Sequence, residues 1–302
     1  MYHYTSSKSA SKTSYILFSL RPKQWAKNLF VFLPLIFGQK LLSYPENVHA
    51  ILAFILFCVA ASAIYILNDL IDLPIDRAHA AKRVRSIASG WISRADGLLA
   101  AGLLIVASVT GSFMLVPQFG WTILTYIAFN FVYSFWLKRI VIIDVFCLAL
   151  FSIFRIAAGT FVAGVSFSYW MIFMIALLAM FLGFNKRRQS ISFLRDAPVK
   201  DQTVHHKYGL YFIDQMVSVV MSTIVVTYML YTVDIRTVQE FGSNHLIYSI
   251  PFVYYGLFRY LYLVHKRKMG DDPTLVLYRD PMLVLSLILW ASVCIAVIYF
   301  RL

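Results

Sequence analysis

The sequence predicts an all-α, polytopic membrane protein, a bundle of nine transmembrane helices with cytoplasmic cap loops. Three observations carry that class. Of 302 residues, 60% are hydrophobic, and the mean hydropathy is +0.73, more apolar surface than a water-soluble core of this size can hide. The apolar residues fall in runs of roughly 20, the length that crosses a bilayer as a helix. The 27 Lys and Arg residues gather in alternate connections, as they do on a cytoplasmic face.

The spans are expected at 25–43, 48–68, 97–117, 119–137, 141–163, 168–185, 211–233, 245–264 and 281–300. Five bases lie in the amino-terminal segment, five in 69–95, two at Lys138 and Arg139, six in 186–207 and four in 266–279. These make 22 of the 27, all on the side of the amino terminus, which is therefore expected to be cytoplasmic in a multi-pass inner-membrane protein. The opposite connections, at 44–47, 117–119, 164–167 and 234–244, hold only Arg236. The net charge of +13 is thus a topological signal and predicts no nucleic-acid partner. It does make the cytoplasmic face attractive to anionic lipids and phosphates. The first 24 residues show no cleavage pattern of a signal peptide, so 1–19 is expected to be a flexible cytoplasmic tail and 20–302 a single membrane domain.

The first span opens with Arg21-Pro22-Lys23-Gln24-Trp25-Ala26-Lys27-Asn28. This is either an interfacial anchor or, for Lys27 and Asn28, the edge of a bundle cavity. The second span ends in Asn68-Asp69-x-x-Asp72-x-x-x-Asp76. On a continuous helix these four residues share an arc of about 100°. Three carboxylates so close repel one another and call for a cation, and an all-oxygen set suits Mg²⁺. Pro74 should kink or end the helix near Asp76. Arg77, Lys82, Arg83 and Arg85 follow at once, so acids for a metal and bases for a phosphate stand together, as a pyrophosphate-bearing substrate requires. The plain alternative is a solvated loop at the membrane surface.

Further along, Ser93-x-x-Asp96 has the form of a helix cap for the third span. Tyr133, Lys138, Asp144 and Arg155 follow, and the last two lie inside an apolar span where a charge is costly and usually faces a cavity. Arg155 is expected either to bind a phosphate or to pair with a carboxylate on another helix. The connection after the sixth span begins Asn185-Lys186-Arg187-Arg188. Asp271-Asp272-Pro273 and Asp280-Pro281 have the form of helix caps with Pro at the first helical position. Cys58, Cys147 and Cys294 sit inside spans at spacings that suit neither a metal nor a disulfide. Whether Arg259, Asp271 or Asp272 joins a site is not decided by the sequence.

With nine spans and the Asn-Asp-x-x-Asp-x-x-x-Asp motif closing the second, the chain resembles the UbiA superfamily of intramembrane prenyltransferases. Most members carry a second Asp-rich motif after the sixth span, where this chain has Asn185-Lys186-Arg187-Arg188. That departure, together with His79-x-x-Lys82-Arg83-x-Arg85, Tyr133-Ser134-x-x-Leu137-Lys138, Asp144, Arg155-x-Ala157-x-Gly159 and Arg279-Asp280-Pro281, resembles the branch that transfers phosphoribose to decaprenyl phosphate. Where that branch commonly has Pro, this chain has Ala80 and Ser86.

The resemblance implies Mg²⁺-dependent transfer of 5-phosphoribose from phosphoribosyl pyrophosphate to a polyprenyl phosphate, for cell-envelope polysaccharide precursors. It implies Asp69, Asp72 and Asp76 as catalytic, with Asn68 beside them as metal ligands. Substrate contacts are expected from Lys27, Asn28, Lys82, Arg83, Arg85, Tyr133, Lys138, Asp144, Arg155, Lys186, Arg187 and Arg188. The rival readings are an aromatic prenyltransferase using a prenyl diphosphate, which calls for the second Asp motif, and a non-catalytic lipid-phosphate binder or transporter. The sequence is compatible with a homo-oligomer but fixes neither that nor the lipid chain length.

Overall fold

In the computed structural model, the described residues are 12–78, 83–195, 208–266, 276 and 279–300. All regular structure among them is helical. Six helices are long and apolar enough to cross a membrane: α3 (Glu46–Ile71), α5 (Arg94–Leu115), α7 (Ile143–Ala163), α8 (Tyr169–Arg195), α9 (Leu210–Val233) and α12 (Pro281–Phe300). The other helices are α1 (Lys12–Ser19), α2 (Leu33–Phe37), α4 (Leu73–Ala78), α6 (Pro117–Phe135), α10 (Ile235–Phe241) and α11 (Ile250–Lys266).

Of the three expected spans outside that set of six, two are α6 and α11, the latter entered through a 3-10 turn at His245–Ser249. The third differs in kind. Residues 25–43 do not form one α-helix: a 3-10 run, Pro22–Phe32, leads into the five-residue α2. Pro22 and Pro34 each withhold a backbone donor, and Gly38 ends α2. Lys40 consequently lies in a connection, paired with Glu46 at 3.3 Å, and joins Arg236 as a base away from the crowded face.

The 3-10 run packs so closely on α7 that a Cβ on Gly159 would meet the Val31 carbonyl oxygen at 2.0 Å. Only glycine fits there. Val31 and Leu35 then share one core with Phe57 of α3, Ile123 of α6 and Phe151 of α7. A second core joins α7, α8, α9 and α11 through Val145, Phe181, Ile213 and Leu263. Toward the outside, α5 exposes Leu98, Leu99, Leu103 and Val106. That is costly in water and suited to lipid, where helices satisfy their own backbone.

Of the expected amino-terminal tail, residues 1–11 lie outside the described residues. Residues 12–19 form α1 rather than a flexible tail, because Tyr15 packs edge-on against Trp91 with ring centroids 3.8 Å apart and its carbonyl accepts from Ser86 Oγ at 3.2 Å. Two capping expectations hold: Ser93 Oγ accepts from the Asp96 amide at 3.1 Å, and Asp280 Oδ1 accepts from the Leu283 amide at 3.0 Å. Asp280 also grips Arg259, Nη2 to Oδ2 at 2.7 Å, so Arg259 belongs to the α11–α12 junction. Asp271 and Asp272 lie outside the described residues. The three cysteines are buried and free.

Candidate active site

The acidic motif stands where α3 gives way to α4. The break falls at Asp72, four residues earlier than the expected boundary near Asp76, because the Pro74 ring cannot follow the carbonyl of Leu70 within a helix. Asp72 closes α3 with its amide on Asn68 O at 2.9 Å, and the Asp76 amide returns to Asp72 O at 2.8 Å.

The break divides the motif into two pairs instead of one face. Asn68 and Asp72 turn toward the end of α6, where Ser134 Oγ donates to Asn68 Oδ1 at 2.5 Å and Lys138 Nζ to Asp72 Oδ1 at 2.7 Å. Asp69 and Asp76 are buried and turn toward the bases. Arg85 Nη1 lies 3.0 Å from Asp69 Oδ1 and 2.6 Å from Asp76 Oδ2, and Arg21 also pairs with Asp69. The compensation that three neighbouring carboxylates need is therefore supplied within the chain by Arg21, Arg85 and Lys138.

Arg21 opens the basic stretch before the first span and lies outside the expected site residues. It holds left-handed backbone, φ 53° and ψ 58°, and its guanidinium lies 5.3 Å from the Tyr65 ring centroid. Nothing in local periodicity connects it with an acid 48 positions away. Trp25 is tied inward, its indole donating to Leu20 O and Ser62 Oγ, and is not a free interfacial anchor. Arg77 Nε donates to the Ala88 carbonyl at 3.3 Å and steadies the basic connection.

The residues deeper in the bundle form a support. Arg155 Nε donates to Asn28 Oδ1 at 2.8 Å, and Nη1 to the Phe151 carbonyl at 2.5 Å. Its guanidinium lies beside the adjoining rings of Phe57 and Tyr126, 5.3 and 5.7 Å from their centroids. Asn28 Nδ2 donates to Cys58 Sγ at 3.1 Å. Asn28 and Arg155 are both buried, so they hold the 3-10 run against α3 and α7. Neither meets the acidic motif, and no carboxylate among the described residues pairs with Arg155.

At the start of α7, Asp144 is fully buried with both oxygens committed: Arg187 Nε on α8 donates to Oδ2 and Tyr208 Oη to Oδ1, each at 2.7 Å. Asp144 is thus a partner for protein groups rather than for substrate. Arg187 also interacts with Tyr133, the neighbour of Ser134, which links this cluster to the acidic one. Burial, and then the bond to Asp144, push the Tyr208 phenol above its usual range, so it stays protonated and donates. Arg188 turns away and pairs with Asp214, through Nε to Oδ1 and Nη2 to Oδ2. Lys27 is half-buried, whereas Arg83 and Lys186 are exposed. Lys82 lies outside the described residues. Asp214 and Tyr208 belonged to no expected motif.

An apolar cavity of about 800 Å³ opens beside the 3-10 run. Leu29, Phe37, Met174, Phe181, Tyr228 and Trp290 are among its walls. One wall is thus the segment that carries Lys27.

Fit to Mg²⁺ is a question of donors. The motif offers oxygens only, which suits a hard ion, and Mg²⁺ is commonly held by one or two carboxylates with water and phosphate oxygens filling the rest. Among the described residues, no three His, Cys, Asp or Glu side chains are grouped to hold a metal by themselves. The donors fit such an ion in kind, on terms that leave much of its shell to oxygens from outside the chain. The Asp72 side chain, 31% exposed, is the most open of the three acids.

Residues 31–288 match the UbiA prenyltransferase family. The chain belongs to that family. The UbiA fold is also seen in a UbiA homolog from Archaeoglobus fulgidus bound to GPP and Mg²⁺, with a TM-score of 0.69, 20% identity and coverage of 94% of this chain and 99% of that one. Among curated relatives, a decaprenyl-phosphate phosphoribosyltransferase of Mycolicibacterium smegmatis is 29% identical over 293 residues, 93% of this chain and 92% of the relative. An uncharacterized protein, y4nM, of Sinorhizobium fredii is 30% identical over 274 residues, and the chain spans about half of its length, 52%. Within the UbiA fold, the acids at the end of α3 and the bases at the end of α8 define the polar end of this bundle.

Proposed function

We propose that this protein transfers a 5-phosphoribosyl group from phosphoribosyl pyrophosphate to a polyprenyl phosphate, releasing pyrophosphate, with Mg²⁺ as cofactor. The observation that carries this reading is the unequal charge of the two helix ends. Acids stand at the end of α3, while the last ten residues of α8 include Lys186, Arg187 and Arg188, with Asp144 already committed to Arg187 and Asp214 to Arg188. A donor held through metals on two acidic helices would need carboxylates at both. Two phosphorylated substrates need bases instead. The similarity to the mycobacterial decaprenyl-phosphate enzyme over 93% of the chain supports the same reading.

In the reaction, the bond between ribose C1 and the pyrophosphate oxygen breaks, and the electron pair leaves with pyrophosphate. An oxygen of the lipid phosphate bonds to C1. That phosphate is already anionic, so no residue has to remove a proton. When bound through Asn68, Asp69, Asp72 and Asp76, Mg²⁺ would neutralise charge growing on the leaving group. Arg21, Arg85 and Lys138, now paired with those acids, serve the same charge from the protein side. Lys27 and Arg187 orient the two phosphates, and orientation alone lowers such a barrier by several kcal/mol, about 7–11 at most. The isoprenoid chain occupies the apolar cavity, one wall of which is the segment that carries Lys27. By the charge count, this end faces the cytoplasm of an inner-membrane protein.

Purified protein incubated with labelled phosphoribosyl pyrophosphate, a polyprenyl phosphate and Mg²⁺ is expected to yield a labelled lipid. The GPP-bound neighbour and the apolar cavity favour a second reading, prenyl transfer to an aromatic acceptor. In parallel incubations with prenyl diphosphate and 4-hydroxybenzoate, product from that pair alone would replace the first reading with the second.

A further inference from the structure

We propose that Tyr208 is a positioning residue of the active site, acting through Asp144 to hold Arg187 for a substrate phosphate. This rests on the phosphoribosyl-transfer reading above. Tyr208 lies just before α9, outside every motif, yet it is 3% exposed. Its hydroxyl makes two bonds to the start of α7 and, through one of them, reaches α8. It donates to Asp144 Oδ1 at 2.7 Å, near the start of α7. It also accepts from the backbone amide of Ile142. Through Asp144 it reaches Arg187 on α8.

The Ile142 backbone explains why a hydroxyl is needed. Ile142 has φ 72° and ψ −48°, a conformation that a β-branched residue adopts only when its surroundings impose it. The amide of Ile142 starts no helical bond at that geometry, and the Tyr208 oxygen takes it. The same hydroxyl donates its own O–H to Asp144 Oδ1. Both Asp144 oxygens are then bonded, the plane of the carboxylate is fixed, and a fixed carboxylate fixes the guanidinium that donates to it. Arg187 in turn interacts with Tyr133, whose neighbour Ser134 bonds Asn68 of the acidic motif. A continuous set of contacts thus runs from the start of α9 to the acids at the end of α3.

Removing the hydroxyl leaves Oδ1 of the fully buried Asp144 without its donor. The carboxylate gains freedom to turn, and Arg187 loses its fixed direction while keeping its charge. Inorganic pyrophosphate with Mg²⁺ is the probe, titrated calorimetrically into the purified full chain, wild type, Tyr208→Phe, Arg187→Ala and the double variant. Tyr208→Phe is expected to weaken binding about fivefold to tenfold, and to add nothing once Arg187 is alanine, the non-additivity of residues acting as one unit. Asp144→Asn provides the same comparison should Tyr208→Phe not fold, with the same expected loss and the same non-additivity.

Wild-type affinity in Tyr208→Phe, losses that multiply in the double variant, or a wild type that does not bind pyrophosphate would each overturn the proposal. Failure of the underlying reading looks different. A wild type that binds pyrophosphate with Tyr208 and Arg187 coupled, yet forms no labelled lipid from phosphoribosyl pyrophosphate, would sink phosphoribosyl transfer and leave a phosphate site positioned by Tyr208.

Discussion

The ends of α3 and α8 both set carboxylates against bases, but water reaches them differently. Asp144 is 0% exposed in its pair with Arg187, whereas Asp72 is 31% exposed in its pair with Lys138. A buried pair is costly to open because each partner would be left uncompensated in a low dielectric. A half-open pair exchanges partners cheaply, since such contacts contribute only about 0–1 kcal/mol. One end is therefore built to stay as it is, while the other can exchange its partner. Asp69 and Asp76 stand between these cases, buried themselves but sharing Arg85, whose side chain is 32% exposed.

The largest effect that would break this contrast belongs to the closed end. Asp144→Leu strands Arg187 and Tyr208, and is expected to cost about 3–5 kcal/mol of stability, read as a fall in melting temperature. Stability close to wild type would mean that Asp144 is not the structural pivot described here. Arg85→Ala is the next in size. It removes the cation shared by Asp69 and Asp76, and loss of its charge-assisted contacts is expected to weaken pyrophosphate binding by about 1.5–3 kcal/mol, roughly tenfold or more. A titration showing unchanged affinity would take Arg85 out of the site. The smallest effect is at Arg188, where the pair with Asp214 is partly open. Arg188→Ala is expected to change stability by no more than about 1 kcal/mol and to leave KM for either substrate unchanged. A clear rise in KM would return Arg188 to the substrate side.

The part of the candidate site that was legible has a signal that is chemical and local. Three acids at the end of an apolar run, followed within a dozen residues by bases, need no tertiary information to suggest a phosphate site. The caps at Ser93 and Asp280 were legible for the same reason. The position of the break was not, because Pro74 excludes a continuous helix without saying which residue will close it. The first span was misjudged because an apolar run does not distinguish 3.0 from 3.6 residues per turn, although Pro22, Pro34 and the close approach at Gly159 mark the departure. The charge partners were the hardest to see. Arg21 meets Asp69 across 48 positions and Tyr208 meets Asp144 across 64, and contacts of that range depend on how the helices pack. The same holds for Arg155, a candidate phosphate ligand by sequence that packing places against Asn28 and two rings.

The most direct test of the contrast is Asp72→Asn, with melting temperature and Mg²⁺-dependent pyrophosphate release from phosphoribosyl pyrophosphate measured on one preparation. The substitution keeps the shape and removes only the charge of the open pair. The expected result is a melting temperature within a few degrees of wild type and turnover lower by about a thousandfold, the roughly 4 kcal/mol that metal-assisted charge stabilisation supplies. A stable Asp72→Asn protein with near-normal turnover would contradict the assignment of the α3 end as the reacting site.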